Sequence, residues 1–465
     1  MREVDIAILG AGTAGLTAMG IIRKQTDNFV MINAGKYGTI CARVGCMPSK
    51  VLIQIAKDWH RRHEFEDLGI IGADKLSLDS KAVMKKLRRL RDGFVADVLR
   101  ATNSLKEGQL ISGRATFKSA DTLEVNGETI KANKIIIATG SRPVIPESWK
   151  KLGKKLLTSN EIFELEELPK RLAVVGLGVI GVELGQALSR LGVEVIGFEM
   201  REQIGALTDP KLIKQSIELM KAEFPIHLGV AAELEDIDEG VRVKVGDDEF
   251  IVDAVLASLG RRPNVDDMGL EHLGVTVDQR GVPEYDPDTL QVNDLPIFIL
   301  GDAHNTRPIM HEASDDGRIA AYNVFHLDQP KKFQRRAPMS IGFTEPQIAM
   351  FGKRFIDLEE DSFVIGEVSF KRQTRAKIMS ENKGMIRLYA DKKTKKLLGG
   401  EMMVPHAEHL VHLMAWVLQQ DLTILEIVRH PSYHPVVEEG LHAAIRSLSR
   451  QLYSIPERFE LRELT

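Results

Sequence analysis

The chain has 465 residues, of which 43% are hydrophobic and 28% charged, and a formal net charge of −4. This length is about three times that of a usual domain and predicts two to four domains, while the composition excludes a largely disordered or fibrous protein. The small negative charge gives no general attraction to nucleic acid or to an anionic membrane, so neither is an expected partner.

Neither a signal sequence nor a membrane span is predicted. The apolar run at residues 6–9 ends at Gly10 and is too short for the hydrophobic region of a secretory signal. The longest candidate for a span, residues 172–182, is interrupted by three glycines and falls short of the roughly 20 apolar residues that a bilayer requires. We therefore expect a cytoplasmic protein with no membrane partner.

A strand, a glycine turn and a helix are predicted in succession near the start of the chain. Residues 4–9 are typical of a buried strand, and Gly10, Gly12 and Gly15 follow it directly, before a run with helical spacing. Such a loop suits a dinucleotide, because glycines let backbone amides approach a pyrophosphate and the helix N-terminus adds partial positive charge. A single match is weak evidence.

The chain contains only two cysteines, Cys41 and Cys46, with four residues between them. A structural bridge closing so short a loop would contribute only about 2 kcal/mol, and further zinc ligands do not lie nearby in the sequence. A close thiol pair in a cytosolic protein favours redox chemistry, with two unpaired thiols as the alternative. Arg43 between them is interpreted as solvent-facing; the alternatives are thiolate stabilisation or recognition of an acidic substrate.

A long amphipathic helix is predicted over residues 81–107, followed by a β-hairpin. The alternating residues 122–125, the Asn126-Gly127 pair and the stretch from Glu128 onward form the hairpin signal. A buried strand at residues 135–139 follows it.

The strand, glycine turn and helix recur later in the chain. Residues 172–175 precede Gly176, Gly178 and Gly181, and another hairpin pattern and buried strand follow. Two copies predict an internal repeat that binds two dinucleotides, whereas a tight turn without a ligand is the alternative for either loop.

One position distinguishes the two copies. The residue 23 positions after the first glycine, where an acceptor for a ribose hydroxyl belongs, is Asn33 in the first copy and Glu199 in the second. Because an acidic acceptor repels a 2′-phosphate, the second copy is expected to prefer NAD over NADP, with Arg201 nearby weakening that preference.

From about residue 336 the glycine loops stop and a separate α+β domain is predicted. Its strands at residues 385–390 and 397–402 flank a lysine-rich turn, and a helix follows at residues 407–420. The histidines of this helix region are interpreted as part of an ordinary interface helix, because helical spacing spreads them over too wide an arc for one metal. They are His406, His409 and His412. No metal site is predicted.

Taken together, the two nucleotide units and the thiol pair resemble the pyridine nucleotide-disulfide oxidoreductases. The matching segments are residues 10–15, 41–50, 138–140, 176–183, 260–264, 300–302, 343–346 and 434–439. The resemblance implies an α/β fold with two Rossmann-like dinucleotide-binding domains, for FAD and NAD, and a C-terminal α+β dimerisation domain. The implied segments are the first part of the FAD domain (1–148), the NAD domain (149–264), the second, central part of the FAD domain (265–336) and the dimer-interface domain (337–465).

The same resemblance implies the cofactor contacts. FAD would be held at its pyrophosphate by the first glycine loop and at its ribityl chain by Asp302. The implied FAD residues are Gly10, Gly12, Gly15, Asn33, Gly140 and Asp302, and the implied NAD residues are Gly176, Gly178, Gly181 and Glu199.

The resemblance to this family also implies which residues are catalytic. Cys41 would meet the substrate and Cys46 the flavin, while Lys50 near the flavin N5 would pair with Glu183 beside the nicotinamide. His434, oriented by Glu439, would act as a base donated by the partner subunit of a homodimer. From spacing alone a histidine before proline is more often a capped turn residue, and His430-Pro431 has no carboxylate five residues beyond the histidine.

The expected activity is that of an NAD-dependent dithiol oxidoreductase of the dihydrolipoamide dehydrogenase type. Electrons would pass from a dithiol through the Cys41–Cys46 pair and FAD to NAD, with a lipoyl group on a carrier protein as the candidate substrate. The alternatives are an NAD(P)H-dependent disulfide reductase similar to glutathione reductase, a quinone reductase whose cysteines are bystanders, and a non-enzymatic flavoprotein scaffold.

Overall fold

The computed structural model describes residues 1–463, so the last two residues of the predicted 337–465 segment lie outside the described part. In chain order, its first elements are β1 (Arg2–Leu9), α1 (Thr13–Ile22), β2 (Phe29–Asn33), α2 (Ile40–Val44), α3 (Cys46–His60), α4 (Ser80–Asn103), β3 (Leu110–Ser112), β4 (Ala115–Ser119), β5 (Thr122–Val125), β6 (Glu128–Ile137) and β7 (Ser141–Pro143). A 3-10 helical stretch, Glu147–Lys155, leads into the next unit.

The second unit resembles the first but begins with an additional short strand and has one helix where the first unit has α2, α3 and α4. It comprises β8 (Leu156–Leu157), β9 (Arg171–Val175), α5 (Val179–Arg190), β10 (Glu194–Glu199), α6 (Pro210–Lys221), β11 (Ile226–Leu228), β12 (Glu233–Ile237), β13 (Gly240–Val245), β14 (Asp248–Val252), β15 (Ala254–Ala257) and β16 (Arg261–Pro263). The chain then returns to the first sheet through β17 (Ile297–Ile299) and α7 (Met310–Asn323).

The two units share one strand order. It runs β3-β2-β1-β6 in the first sheet and β11-β10-β9-β15 in the second, and these neighbours pair in parallel. Parallel strands joined through helices bury both faces of a sheet, which explains the nearly continuous apolar runs of the central strands. The predicted α/β fold with two Rossmann-like units is confirmed.

The hairpins form where the sequence predicts them. Asn126 and Gly127 adopt φ values of +52° and +82° between β5 and β6, as a tight hairpin turn requires. In the first unit the return arm and the buried strand are one continuous strand, β6. In the second unit Asp253 separates β14 from β15, because its carboxylate accepts hydrogen bonds from the backbone and side chain of Arg171 at 2.7–3.1 Å.

The predicted helix over residues 81–107 is real but shorter. Asp79 caps its start by accepting a hydrogen bond from Ala82, and the helix ends at Asn103. The chain then turns at Gly108, where φ is +80°, a conformation that favours glycine and cannot continue a helix.

The last part of the chain is an antiparallel sheet covered by helices. Its elements are β18 (Met339–Gly342), β19 (Gln347–Gly352), β20 (Phe363–Ser369), α8 (Thr374–Ile378), β21 (Met385–Asp391), β22 (Leu397–Val404), α9 (Ala407–Gln419), α10 (Ile424–Val428) and α11 (Glu439–Leu452). The strand order is β18-β19-β22-β21-β20, and the sheet and helices share one apolar core. This confirms the predicted C-terminal α+β unit. Among residues 1–463, no helix is both long and apolar enough to cross a membrane.

Candidate active site

The thiol pair lies where two helices meet. Cys41 belongs to the short helix α2, which begins after Thr39 accepts a hydrogen bond from the Ala42 amide at 3.2 Å, and Cys46 is the first residue of α3. Gly45 makes the turn between them. Both cysteines are free thiols, with Cys41 half-buried and Cys46 exposed.

The two thiols differ in acidity. A hydrogen bond from Cys41, together with the nearby Lys50 ammonium, lowers the pKa of Cys46 to about 6, against the opposing effect of the protein atoms packed around its sulfur. The same hydrogen bond and burial raise the pKa of Cys41. The position of Cys46 at a helix N-terminus favours a thiolate as well. Near neutral pH the pair therefore carries its negative charge on Cys46.

Lys50 and Glu183 form the ion pair that the resemblance implied. Lys50 Nζ lies 3.1 and 2.9 Å from the two carboxylate oxygens of Glu183, whose side chain is 4% exposed. Lys50 is one helical turn after Cys46 on α3, whereas Glu183 is on α5 of the second unit. The pair thus joins the thiol helix to the unit that carries the second glycine loop.

Glu183 has further partners from other segments. It accepts a hydrogen bond from the Ser49 hydroxyl at 3.4 Å and one from the Phe343 amide at 2.7 Å. The Phe343 ring also lies 4.5 Å from Lys50 Nζ. The sequence placed residues 343–346 in a matching segment but gave no reason to place Phe343 against this ion pair.

The first glycine of each loop packs against the end of a neighbouring strand. Gly10 and Gly176 have φ values of +117° and +92°, and a Cβ there would lie 2.3 Å from the Ala138 carbonyl oxygen and 2.5 Å from that of Ser258. Only glycine is compatible with both the conformation and the space. The loops are therefore held tightly against the ends of β6 and β15.

The third glycine of each loop is equally constrained. A Cβ at Gly15 would lie 2.0 Å from the Gly10 carbonyl oxygen, and one at Gly181 would lie 1.9 Å from that of Gly176. This close packing lets the first turn of each helix lie beside the strand that precedes it.

The outer side of each loop fits a dinucleotide. The middle glycines, Gly12 and Gly178, are the N-cap residues of α1 and α5 and leave the first amides without a side-chain cap. A Cβ at Gly178 would meet no atom within 4 Å, and one at Gly12 would meet only the Ala138 oxygen at 3.9 Å. Uncapped amides on an open helix N-terminus suit a pyrophosphate. The buried Thr139 hydroxyl, which has no hydrogen-bond partner within residues 1–463, adds unused bonding capacity beside the first loop.

The residues predicted at the ribose position occupy equivalent places in both units. Asn33 Oδ1 accepts a hydrogen bond from the Ala11 amide at 3.0 Å, and Glu199 Oε2 accepts one from the Leu177 amide at 2.8 Å. Each side chain is therefore fixed at the carboxyl end of its strand, beside the glycine loop, as a dinucleotide site requires.

Asp302 belongs to a polar cluster that the sequence only partly indicated. Its carboxylate accepts a hydrogen bond from the Ser141 hydroxyl at 2.6 Å. Arg261 donates to the hydroxyl and carbonyl of Ser141, both at 2.7 Å, and its Nε lies 3.9 Å from Asp302. Burial lowers the pKa of Arg261. Neither Ser141 nor Arg261 was singled out, although both stand inside or next to matching segments.

The sequence did not predict the surroundings of two residues that lie near the thiol pair. Gly140 has a φ of +69°, and a Cβ there would lie 3.9 Å from the Ile40 side chain, next to the thiol helix. Arg43 is half-buried, and its Nε donates to the Gly38 carbonyl at 2.9 Å. The interpretation of Arg43 as a solvent-facing side chain is therefore wrong.

His434 and Glu439 form a pair at the surface of the C-terminal unit. Glu439 Oε1 lies 3.0 Å from His434 Nδ1, and Glu439 Oε2 accepts a hydrogen bond from the Val436 amide at 3.2 Å. The hydrogen bond with His434 lowers the pKa of Glu439. Since the carboxylate engages Nδ1, Nε2 of the ring is left as the free acceptor. The His434 side chain is 71% exposed.

Within residues 1–463, no group of three or more histidine, cysteine or acidic side chains has the geometry to hold a metal. His412 Nδ1 instead contacts the Glu408 carbonyl, and the rings of His406 and His409 stack with their centroids 6.1 Å apart.

Comparisons with known proteins agree with this arrangement. A family model described as pyridine nucleotide-disulphide oxidoreductase matches residues 4–317, and one described as the dimerisation domain of the same group matches residues 339–445. The chain is 30% identical to a dihydrolipoyl dehydrogenase of Thermus scotoductus, over 98% of this chain and 100% of the relative. It is also 30% identical to a dihydrolipoyl dehydrogenase of Chlamydia pneumoniae, over 94% and 95% of the two chains.

Solved structures share the fold. The HOCl-induced flavoprotein disulfide reductase RclA from Escherichia coli superposes with a TM-score of 0.82 at 20% identity, covering 97% of this chain and 100% of that one. LpdA from Mycobacterium tuberculosis gives a TM-score of 0.83 at 22% identity, covering 96% and 100%.

The expectations about family and cofactors are thus confirmed. FAD and NAD(H), predicted from the two glycine loops and the resemblance, are the cofactors that this family uses. The chain therefore belongs to the pyridine nucleotide-disulphide oxidoreductase family and is an FAD-dependent disulfide oxidoreductase.

Proposed function

We propose that this oxidoreductase is a dihydrolipoamide dehydrogenase, which oxidises a protein-bound dihydrolipoyl group and reduces NAD⁺. The observation that carries the proposal is the placement of Cys46, as the more acidic thiol, one helical turn before Lys50 and its partner Glu183. The names of relatives at 30% identity over nearly the whole chain support the choice of substrate.

The thiol chemistry follows from the acidity of the two cysteines. A substrate thiolate attacks Cys41 Sγ in the Cys41–Cys46 disulfide, and Cys46 departs as a thiolate, which its lowered pKa favours. The second substrate thiol then attacks the mixed disulfide, the substrate leaves as a cyclic disulfide, and Cys41 departs and takes up a proton. Its raised pKa suits this role. When bound, FAD would supply the redox chemistry that links the thiol pair to NAD⁺: the two cysteines would return to the disulfide with loss of the Cys41 proton, and their electron pair would reach NAD⁺ as a hydride.

The base for the substrate thiols is His434. Its free Nε2 accepts a proton, and the Glu439 carboxylate on Nδ1 stabilises the imidazolium that results. Because His434 is exposed on the C-terminal unit, which matches a dimerisation domain, we propose that it completes the site of the other subunit in a homodimer.

The second dinucleotide is NAD rather than NADP. Glu199 holds its carboxylate at the ribose position through the Leu177 and Arg201 amides, at 2.8 and 3.1 Å. A fixed negative charge there accepts hydrogen bonds from a ribose diol and repels a 2′-phosphate. We propose the residue ranges 1–148, 149–264, 265–336 and 337–465 as the corresponding domain division; location in the cytoplasm stays a prediction.

The activity is tested with purified, FAD-loaded protein. We expect NAD⁺ reduction in the presence of dihydrolipoamide, and loss of at least about a hundredfold in turnover in Cys41→Ser and Cys46→Ser, because each removes one half of the exchange. Oxidation of NADPH by glutathione disulfide with no lipoamide activity would instead identify a glutathione-reductase-like enzyme. Full NADH–quinone activity in Cys41→Ser without dithiol activity in the wild type would make the cysteines bystanders.

A further inference from the structure

Residues 343–346, which we call the strap, connect β18 to β19 in the C-terminal unit and lie against helices of both other units. We propose that the strap positions Lys50 and Glu183 for electron exchange with the pyridine nucleotide, and that Gln186 is the positioning residue that holds the strap. The inference rests on the proposed role of the Lys50–Glu183 pair and adds a part of the machinery that the C-terminal unit supplies.

Helix α5 binds the strap through side chains on one of its faces. Glu183, Gln186 and Arg190 follow one another at helical spacings of three and four residues, which place them on one side of the helix. Glu183 accepts the Phe343 amide at 2.7 Å. Gln186 forms two hydrogen bonds with the main chain of Glu345, donating from Nε2 to its carbonyl and accepting from its amide at Oε1, both at 2.8 Å.

The Gln186 contact fixes both position and orientation. The side chain of Gln186 is buried, with the residue 3% exposed, so water does not readily replace either of its bonds. A buried main-chain amide and carbonyl are costly to leave without partners. Gln186 therefore restricts the strap to one register on α5, one helical turn from Glu183.

The charged end of the strap is held by two helices. Glu345 accepts a hydrogen bond from Arg190 on α5, and Lys57 of α3 lies 2.5 Å from its other oxygen. Arg190 is shared with Glu223 at 2.7 Å, and its side chain is only 8% exposed. Lys57 is two helical turns beyond Lys50 on α3, so both helices that carry the ion pair also bind the strap.

Phe343 connects the strap to the Lys50–Glu183 ion pair. Its amide bonds to Glu183, and its ring faces the Lys50 ammonium at 4.5 Å, within the range of a cation–π contact. One residue thus contacts both members of the pair. Any shift of the strap changes the direction of the Glu183 carboxylate and the environment of the Lys50 ammonium together.

The test is Gln186→Leu in the FAD-loaded enzyme, which removes both bonds at nearly constant volume. We expect faster amide hydrogen exchange at Phe343 and Glu345 and flavin reduction by NADH slowed about tenfold, because small misplacements of reacting groups are costly. Flavin reduction by dithiothreitol through the thiol pair should be slowed less than the reaction with NADH, since Gln186 contacts neither Cys41 nor Cys46 and influences Cys46 only through Lys50. The matched control is Gln54→Leu on α3, whose side chain is exposed and bonds only to Asp58 at 2.8 Å.

The outcomes distinguish a failure of the inference about the strap from a failure of the proposed role of the Lys50–Glu183 pair. If the strap amides exchange faster in Gln186→Leu but NADH reduces the flavin at the wild-type rate, the proposed positioning role of the strap is wrong. If amide hydrogen exchange at Phe343 and Glu345 is unchanged in Gln186→Leu, Gln186 does not hold the strap. If Gln186→Leu does not fold, Phe343→Leu decides: we expect about a threefold slower reaction with NADH alone, and an unchanged rate overturns the inference. A wild-type rate in Lys50→Met would instead refute the proposed role of the pair itself.

Discussion

Asn33 and Glu199 occupy one position in two copies of the same unit. Each accepts a hydrogen bond from the amide that follows the first glycine of its loop, at 3.0 Å from Ala11 and 2.8 Å from Leu177. The geometry is the same, but only Glu199 brings a charge. The ribose of a bound dinucleotide would therefore meet its acceptor from the same direction at both loops, but in a different electrostatic environment.

Glu199→Ala should weaken NAD binding and reduce discrimination against NADP. Hydrogen bonds to a charged group contribute about 1.5–3 kcal/mol, so we expect the KM for NAD⁺ to rise about tenfold or more while kcat changes little. The ratio of kcat/KM values for NAD⁺ and NADP⁺ should fall, because repulsion of the 2′-phosphate is lost as well. The control is Glu202→Ala, at an exposed residue of the segment that follows β10; an equal effect there would contradict a specific role for Glu199.

The reduced protein without FAD should show one acidic and one poorly acidic thiol. The pKa of Cys46 is lowered to about 6, so its thiolate fraction, and with it the rate of alkylation by iodoacetamide, should rise as the pH increases through about 6. Cys41, with a raised pKa, should react only at much higher pH. Peptide mapping after alkylation distinguishes the two sites.

Variants identify the causes of this acidity. Cys41→Ala removes the hydrogen bond from the Cys41 thiol, and Lys50→Met removes the nearby ammonium, so both should shift the Cys46 alkylation profile to higher pH. Cys46→Ser should eliminate the low-pH phase. A profile that stays at pH 6 in both Cys41→Ala and Lys50→Met would show that neither neighbour stabilises the thiolate.

The parts of the fold that local sequence determines could be predicted. The glycine loops combine a fixed spacing with steric constraints at positions such as Gly10, and the Asn126-Gly127 turn needs two positive φ values that few other residue pairs accept. These signals involve neighbouring residues only. The Lys50–Glu183 pairing, by contrast, was expected from the family resemblance and not from any spacing in the chain.

The contacts that spacing could not predict join distant segments. Gln186 and Glu345 are 159 positions apart, and Arg261 and Ser141 are 120 apart. A single sequence shows each of these residues with several plausible roles, because polar side chains bond to whatever the tertiary structure brings near. Arg43 illustrates this point, since its bond to the Gly38 carbonyl depends on the turn of the thiol segment.

His434→Gln should lower turnover with dihydrolipoamide by about a hundredfold or more, the usual contribution of a positioned base. Glu439→Gln should have a smaller effect, because the histidine keeps its Nε2 but loses the partner on Nδ1. His430→Gln is the matched control: it also precedes a proline, but its Nδ1 contacts only the Ile427 carbonyl at 3.1 Å. Flavin reduction by NADH should be unaffected in all three.

Mixed dimers test whether His434 acts across the subunit interface. Cys46→Ser and His434→Gln are each expected to be inactive as homodimers. If the base comes from the other subunit, a heterodimer of the two has one complete site, with the thiols of the His434→Gln chain and the histidine of the Cys46→Ser chain. Co-expression and purification with two affinity tags should therefore restore dithiol activity. A heterodimer without activity would place the base and the thiols in the same subunit.

The contact between the second unit and the C-terminal sheet contains a buried ion pair that should dominate local stability. Asp209, at the N-terminus of α6, is fully buried and accepts hydrogen bonds from Arg387 Nε at 2.6 Å and the Tyr389 hydroxyl at 3.0 Å. Burial also raises the pKa of Tyr389, which keeps this phenol protonated as a donor. Glu401, also fully buried, accepts the Thr208 and Asp209 amides at 2.8 and 3.1 Å.

Arg387→Met should destabilise the enzyme by about 3–5 kcal/mol, because it leaves the buried Asp209 carboxylate without its cation. The double variant Asp209→Asn with Arg387→Met should be less destabilised than the sum of the two single variants, since the uncompensated charge is gone. The measurement is the thermal unfolding midpoint, with Arg354→Met as the control, because Arg354 pairs with Asp357 at the surface at 2.8 Å. Strict additivity of the single effects would show that the Asp209–Arg387 contact contributes no coupling energy.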